Sequence, residues 1–126
     1  MITRVFLVIS GAAWLAYGVL CLAQPEQLAA IAGVAAQTQS GLTELRAMYG
    51  GAQIAIGLAL LHGALRPIAS RWSLQLQTVI FLGIVPTRLV TAIVTADASS
   101  YTVGALVFEL TFLMLSLLLL RRSART

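Results

Sequence analysis

The chain has 126 residues, of which 60% are hydrophobic and 10% charged, and its mean hydropathy is +0.95. A soluble domain of this length cannot bury so much apolar surface, so the composition indicates one domain of a polytopic membrane protein. The net charge of +4 comes from arginines beside apolar segments, which form no basic stripe, and this excludes nucleic acid as a partner. The lone Cys21 and the single His62 provide no metal-ligand set, and no cofactor fingerprint is present, so we expect neither a metal nor a cofactor.

Four apolar segments each approach the roughly 20 residues that a membrane-spanning helix needs. They run over about residues 5–23, 45–65, 72–96 and 101–120, which predicts an all-α, integral membrane four-helix bundle in one domain. The first segment is interpreted as a retained helix, since the residues at its end match a signal-peptidase site poorly. The third segment is the longest and contains Pro86, where we expect a kink.

Arginines outside the membrane predict the orientation of the chain. Those that flank the predicted helices are Arg4, Arg66, Arg71, Arg121, Arg122 and Arg125. The other two connections, at about residues 24–43 and 97–100, contain no arginine. By the positive-inside rule, both termini and the middle loop are predicted to be cytoplasmic.

The first outer loop is long enough to hold a short helix of its own. Pro25 suits its first turn and Gly33 its end, with an apolar side at Leu28, Ile31 and Ala32. We therefore expect a short helix that lies on the outer membrane interface.

A polar stretch, residues 43–53, opens the second apolar segment. Thr43 is the expected N-cap, and Glu44 in the first turn suits the helix dipole. Hydrocarbon tolerates such polar groups only where they are buried against partners or line a wet cavity. The aromatic residues Tyr17, Trp72 and Tyr101 fall near predicted helix ends, which is typical of an aromatic belt.

Small residues recur every four positions along the second helix, a pattern that lets helices approach closely. They are Ala47, Gly51, Ala55, Ala59 and Gly63. Together with Gly11 and Gly18 on the first helix, this stripe favours close packing of the first two helices within one chain. A homodimer through the same stripe is the alternative.

Two charges lie deep inside the third and fourth helices. Arg88 and Glu109 are each about ten residues from the turn that joins these helices, so both lie about 15 Å below it. A salt bridge at this depth is therefore geometrically available. It would act either as a structural pair that fixes helix register or as part of a polar cavity.

Further polar side chains are expected at a similar depth in the outer half of the bundle, including a tyrosine and an amide that a structural ion pair does not need. The candidate ligand-binding residues are Glu44, Arg46, Tyr49, Gln53, Arg88 and Glu109. No catalytic triad is present, so no catalytic residue is assigned.

The run Glu44–Gly51, followed by Gln53 and Gly57, resembles the signature of a bacterial family described only as domain of unknown function 4345. Pro25, Arg88 and Glu109 also match positions of that family. The family is loosely similar to the DoxX-like group of four-helix membrane proteins. The resemblance implies a protein of the bacterial inner membrane, and it implies no activity.

Three functions are compatible with these residues. The first is a non-catalytic accessory, assembly, lipid-binding or ligand-binding protein that contacts the lipid bilayer, a larger membrane protein or a second copy. The second is a proton-coupled small-molecule transporter that uses Glu109, although the first helix contains no acidic residue and the arginine bias is one-sided. The third is a membrane isomerase with Glu44 or Glu109 as acid or base. We favour the first, and enzymatic activity is not expected.

Overall fold

A computed structural model describes residues 1–123, and within this range every regular element is a helix. In chain order these are α1 (Ile2–Ala23), α2 (Gln27–Ala32), α3 (Gln39–Leu45), a π-helical turn (Arg46–Gly51), α4 (Ala52–Leu65), α5 (Pro67–Thr95) and α6 (Ser100–Ser123). Four helical segments are long and apolar enough to cross a membrane. The prediction of four long apolar helices is confirmed, and the chain is a multi-pass membrane protein. Arg125, used in the orientation argument, lies outside the described residues.

The second membrane segment is one continuous helix made of α3, the π-helical turn and α4. It begins at Gln39, because Thr38 has an extended backbone and its hydroxyl oxygen accepts a hydrogen bond from Gly41 N at 3.0 Å. The expected N-cap at Thr43 is therefore wrong. Thr43 lies inside the helix, where its hydroxyl donates to the carbonyl of Gln39 at 3.1 Å.

The third membrane segment also begins earlier than the apolar pattern indicates. Pro67 occupies the first turn of α5, where a proline loses no helical hydrogen bond. α5 continues without interruption through Pro86, and the kink expected there stays a prediction.

The π-helical turn coincides with the polar sequence run. The N–H of Ala52 donates to the carbonyl of Ala47, five residues back, instead of four as in an α-helix. Such wide turns are frequent at functional sites. The turn buries Gly50 against α1, where an added Cβ would lie 2.9 Å from the Cβ of Leu22.

Glycines bring the backbones of α1 and α4 together. A Cβ added at Gly57 would lie 2.7 Å from Leu15 N, and one added at Gly18 would lie 2.7 Å from Ile54 N. Neither position has room for a side chain. α1 and α4 therefore pack closely, through small residues at both ends of the contact.

The predicted small-residue stripe does not form this contact. Ala47, Gly51 and Ala55 are exposed, Ala59 is half-buried, and Gly63 packs against Ser73 of α5. The physical reason is the period of the helix: four residues turn it by about 40° more than one full turn. A stripe of five residues, four such steps long, consequently winds from the exposed surface to the α5 side.

We call the end of the bundle that carries Arg4, Arg66, Arg71, Arg121 and Arg122 the basic half, and the opposite end the site half. The basic half contains the main apolar core, formed by buried side chains of α1, α4, α5 and α6. These are Phe6, Leu7, Leu60, Ala64, Leu74 and Leu119. Near this core Gln77 Nε2 donates to Ser10 Oγ at 3.2 Å, and both side chains are fully buried.

Two connections close the site half. α2 buries Leu28 against Cys21 and Leu45 and ends at Gly33, whose φ of 69° is in the left-handed region that suits glycine. Between α5 and α6, Asp97 accepts hydrogen bonds from Ser99 N at 2.9 Å and from the Thr102 hydroxyl at 2.6 Å. Both connections thereby fix the ends of the neighbouring helices at this end of the bundle.

Candidate functional site

A bidentate ion pair joins α5 to α6 in the site half. Arg88 Nε lies 2.9 Å from Glu109 Oε2 and 3.1 Å from Oε1, and Arg88 Nη2 lies 2.7 Å from Oε1. The Glu109 side chain is 9% exposed and that of Arg88 is 28% exposed. The salt bridge expected from the shared depth of Arg88 and Glu109 is therefore present, and it is largely buried.

Tyr101 covers another side of the arginine. The guanidinium carbon of Arg88 lies 6.0 Å from the centre of the Tyr101 ring, which is within reach of a cation–π interaction. Arg88 is thus fixed by a carboxylate and by an aromatic ring from the same helix, α6.

Next to this pair, a cavity of about 300 Å³ lies between α1, the start of the second membrane segment, α5 and α6. Its walls are mainly apolar and aromatic. Trp14 packs against Phe81 with ring centroids 5.7 Å apart, and Phe108 packs against Phe112 at 4.3 Å. A concave apolar space with a few polar groups is typical of a small-molecule site.

Four of the six candidate residues line this cavity: Tyr49, Gln53, Arg88 and Glu109. Glu44 and Arg46 do not, and both are exposed. Leu45 is the buried side chain of that turn, so the residues on either side of it lie on the outer surface of the helix. These two positions of the expected cluster are therefore outside the site.

Sequence reasoning missed the aromatic contribution of α1 and α6. Tyr17 and Tyr101, expected in an aromatic belt, line the cavity instead, and Trp14 joins them. The available signal was the spacing of Trp14 and Tyr17, which puts two aromatic residues on one side of α1. Trp72, the third belt residue, is exposed near the start of α5.

Two polar atoms in the wall have no protein hydrogen-bond partner among residues 1–123. They are Trp14 Nε1, which can only donate, and Gln53 Oε1, which can only accept. Both atoms are buried. Buried polar atoms normally have partners. A water-sized group reaches neither atom, so both lie behind the surface of the cavity, and Gln77 Oε1 near the core of the basic half is a third atom of this kind.

A second, more polar depression lies on the outer side of the cavity. Tyr49, Arg88 and Tyr101 line both spaces, and Asp97 and Ser99 lie at the rim of the outer one. The cavity is thus separated from the loop end of the bundle by two tyrosines and an arginine.

The chain matches the model of the family described as Domain of unknown function (DUF4345) over residues 2–120. The chain belongs to this family. No curated protein and no solved structure matches it. The resemblance seen in the run Glu44–Gly51 is confirmed. Of that run, Tyr49 lines the cavity, together with residues of α1, α4, α5 and α6. The match assigns no activity.

The arrangement of this DUF4345 protein favours binding over bond-making chemistry. Three hydrogen bonds from Arg88 occupy the carboxylate of Glu109, which leaves it poorly placed as a general base. In the part of the chain that the structure describes, no three His, Cys, Asp or Glu side chains come together as a metal site.

Proposed function

We propose that this protein is a non-catalytic accessory protein of the bacterial inner membrane that binds a small, largely apolar molecule in the cavity of its site half. The observation that carries the proposal is a cavity of about 300 Å³ with aromatic side chains in its wall, beside a paired arginine and glutamate. Its binding surface would be available to a lipid-derived molecule or to a ligand presented by a larger membrane protein.

A purely structural role for the ion pair would not require this cavity. Protein interiors are normally packed as densely as organic crystals, and a cavity in a core reduces stability. The basic half also has a space, of about 380 Å³, but it is a groove lined mainly by exposed side chains of α1 and α6 such as Val5, Ile9 and Leu118. The core behind that groove is closely packed, since Leu7, Leu60 and Leu74 are fully buried. The open space in the site half is therefore better explained by an occupant.

The proposed orientation places the cavity towards the outer side of the membrane. The five described arginines of the basic half all lie at the opposite end from α2 and the turn between α5 and α6. Basic residues concentrate on the cytoplasmic side, which supports cytoplasmic termini and an interfacial position for α2.

Transport and isomerisation receive less support from the geometry. Proton coupling through Glu109 would require its carboxylate to leave three hydrogen bonds with Arg88. An isomerase that uses Glu44 would need that side chain to reach the cavity, which it does not line. Binding requires neither rearrangement.

The test is native mass spectrometry of protein extracted in a mild detergent, with two matched variants. Ala13 lines the cavity, whereas its neighbour Ala12 is exposed. We expect a bound species on the wild type that Ala13→Leu loses and Ala12→Leu keeps, because only the first substitution fills the cavity. A wild type without a bound species, or a species that Ala13→Leu retains fully, would contradict binding at this site.

A further inference from the structure

We propose that the groove between α1 and α6 in the basic half binds an anionic phospholipid, with one acyl chain along the groove and the phosphate at Arg122. The groove has a volume of about 380 Å³. Apolar side chains of both helices line it, including Val5 and Leu118, and Arg122 is the charged residue in its wall. The inference goes beyond the function proposed for the site half, because it concerns another space and another ligand.

The groove is separate from the cavity of the site half. The two spaces have no lining residue in common. Phe112 contacts both of them: its ring centroid lies 5.6 Å from that of Phe6, which lines the groove, and 4.3 Å from that of Phe108, which lines the cavity. A molecule in the groove therefore does not occupy the cavity.

The groove has the direction and the depth of an acyl chain. On α1 it extends from Ile2 to Ile9, and on α6 from Arg122 back to Leu115. Seven residues of helix correspond to about 10 Å. One leaflet contributes about 15 Å of hydrocarbon, half the thickness of the core. Arg122 lies in the last turn of α6, so it is at the end of the groove where the headgroups begin.

The side chains along the groove suit a flexible lipid chain better than a second helix. Ile2, Val5 and Ile9 are each more than half exposed, and Leu115 and Leu118 are exposed as well. Helices that associate in membranes meet through small residues, and none of these side chains is small. The glycines of α1 that are in close contact pack against α4 and the π-helical turn instead. The groove therefore fits an acyl chain and not a second copy of the protein.

The charge of the basic half favours an anionic headgroup. It contains five described arginines, and no acidic side chain lies there, because all four acidic residues of the chain lie in the site half. These are Glu26, Glu44, Asp97 and Glu109. A lipid phosphate accepts two parallel hydrogen bonds from one arginine. In the proposed orientation the basic half faces the cytoplasmic leaflet, which carries the anionic lipids.

Two pairs of neighbouring residues distinguish the groove from the surface around it. Arg122 lines the groove, whereas Arg121 does not and lies about 100° away around the same helix. Val5 lines the groove, whereas Val8 is exposed on α1 outside it. All four residues are exposed, so substitutions there leave the packed core intact.

The test of the headgroup is native mass spectrometry of the full chain in a mild detergent. Equal amounts of dioleoyl phosphatidylglycerol and dioleoyl phosphatidylcholine are added together. The two lipids have the same acyl chains and differ in the net charge of the headgroup. For the first bound lipid we expect a preference of about fivefold for phosphatidylglycerol, the effect of one arginine near a membrane surface. Arg122→Gln should lose most of this preference, and Arg121→Gln should keep most of it.

The test of the groove uses the same lipid mixture with Val5→Trp and Val8→Trp. The first variant places an indole ring in the groove, so it should lose most of the bound phosphatidylglycerol. The second adds the same ring outside the groove and should bind as the wild type does. Circular dichroism of each variant shows whether the helices are retained, so that a loss of lipid is not mistaken for unfolding.

Four results would overturn the inference. Equal binding of the two lipids by the wild type would contradict an anionic headgroup. Equal effects of Arg122→Gln and Arg121→Gln would show a diffuse attraction by the arginines, without a phosphate at Arg122. Equal effects of Val5→Trp and Val8→Trp would place the lipid outside the groove. A wild-type dimer that binds no lipid and that Val5→Trp alone dissociates would assign the groove to a second copy of the chain.

The same spectra keep this inference distinct from the proposed function. Ala13→Leu fills the cavity of the site half and leaves the groove unchanged. It should therefore lose the species bound in the cavity and keep the preference for phosphatidylglycerol. A variant Ala13→Leu that lost this preference would contradict the separation of the two sites.

Discussion

The basic half of the bundle has a filled core and a groove on its exposed surface, whereas the site half has a cavity of about 300 Å³ between its helices. In the basic half, Leu7, Leu60 and Leu74 are fully buried. Buried polar atoms without a partner among the described residues occur in both halves: Trp14 Nε1 and Gln53 Oε1 in the site half, and Gln77 Oε1 near the core of the basic half. The two ends therefore differ in what lines their spaces: exposed apolar side chains in the basic half, and aromatic side chains with a largely buried ion pair in the site half.

The close contact between α1 and α4, in contrast, is present in both halves of the bundle. Gly11 and Gly57 bring the two backbones together near the middle, and Gly18 and Gly50 do so in the site half. The cavity therefore does not result from a loose contact between α1 and α4. It lies towards α5 and α6, with Trp14, Phe81 and Phe108 in its wall.

The largest expected effect comes from opening a second cavity in the basic half. Leu60→Ala should lower the free energy of unfolding by about 2–5 kcal/mol, since Leu60 is fully buried among well-packed neighbours. Ile84→Ala, in the wall of the existing cavity, should cost roughly half of that or less, because fewer contacts are lost. Denaturant titration of both variants in one detergent measures the difference. Equal losses would contradict the distinction between the two halves.

Removing one partner of the ion pair should have the next largest effect. Glu109→Leu leaves Arg88 without its carboxylate inside the membrane, and we expect a loss of about 2–3 kcal/mol. The double variant Arg88→Leu with Glu109→Leu should recover most of this loss, because no charge is left unpaired. A double-mutant cycle in the same unfolding assay measures the coupling. Additive single effects would show that the pair contributes no interaction energy.

A single methyl group added where glycines of α1 and α4 meet should lower the stability of the fold. An alanine Cβ at Gly57 would meet Leu15 N at 2.7 Å and Gly11 O at 2.8 Å, both backbone atoms that cannot rotate away. We expect Gly57→Ala to cost about 1–3 kcal/mol. Gly83→Ala is the control, since nothing lies within 4 Å of its added Cβ, and alanine should gain up to about 1 kcal/mol there. Thermal unfolding followed by circular dichroism tests the opposite signs.

The smallest effect concerns Asp97, in the turn between α5 and α6. Hydrogen bonds from the Thr102 hydroxyl and from Ser99 hold the pKa of the Asp97 carboxyl below its usual value. Because the pKa is lower in the folded chain, this stabilisation is fully present above the unfolded value, about 3.9, and is lost as the pH falls through the folded value. The difference in Tm between wild type and Asp97→Asn should therefore stay constant at neutral pH and shrink below about pH 4.

Thr102→Val provides the control for this prediction. It removes the largest cause of the lowered pKa, so the variant should lose much of the acid dependence. A Tm difference between wild type and Asp97→Asn that persists unchanged at low pH would contradict the assigned hydrogen bonds.

Much of the fold followed from the sequence because a membrane-spanning helix can be recognised from a run of apolar residues alone. Apolar runs of about 20 residues revealed four helices. The positions of Arg88 and Glu109 on either side of a short turn fixed their common depth, since the rise of a helix is constant. The run Glu44–Gly51 likewise identified the family.

The exact composition of the site did not follow in the same way. Glu44 and Arg46 are exposed, while Trp14, Tyr17 and Tyr101 complete the wall. Hydropathy does not distinguish a lipid-facing side chain from one that faces another helix, because both environments are apolar.

The sequence by itself thus determined the class of protein, its four spans and the depth of its charged pair, all of which depend on distance along a helix. Tertiary structure decided which side of each helix faces the cavity. That choice depends on rotation about the helix axis, which the π-helical turn at Arg46–Gly51 and the glycine contacts of Gly18 and Gly57 set. These contacts join residues far apart in the chain, so no local pattern encodes them.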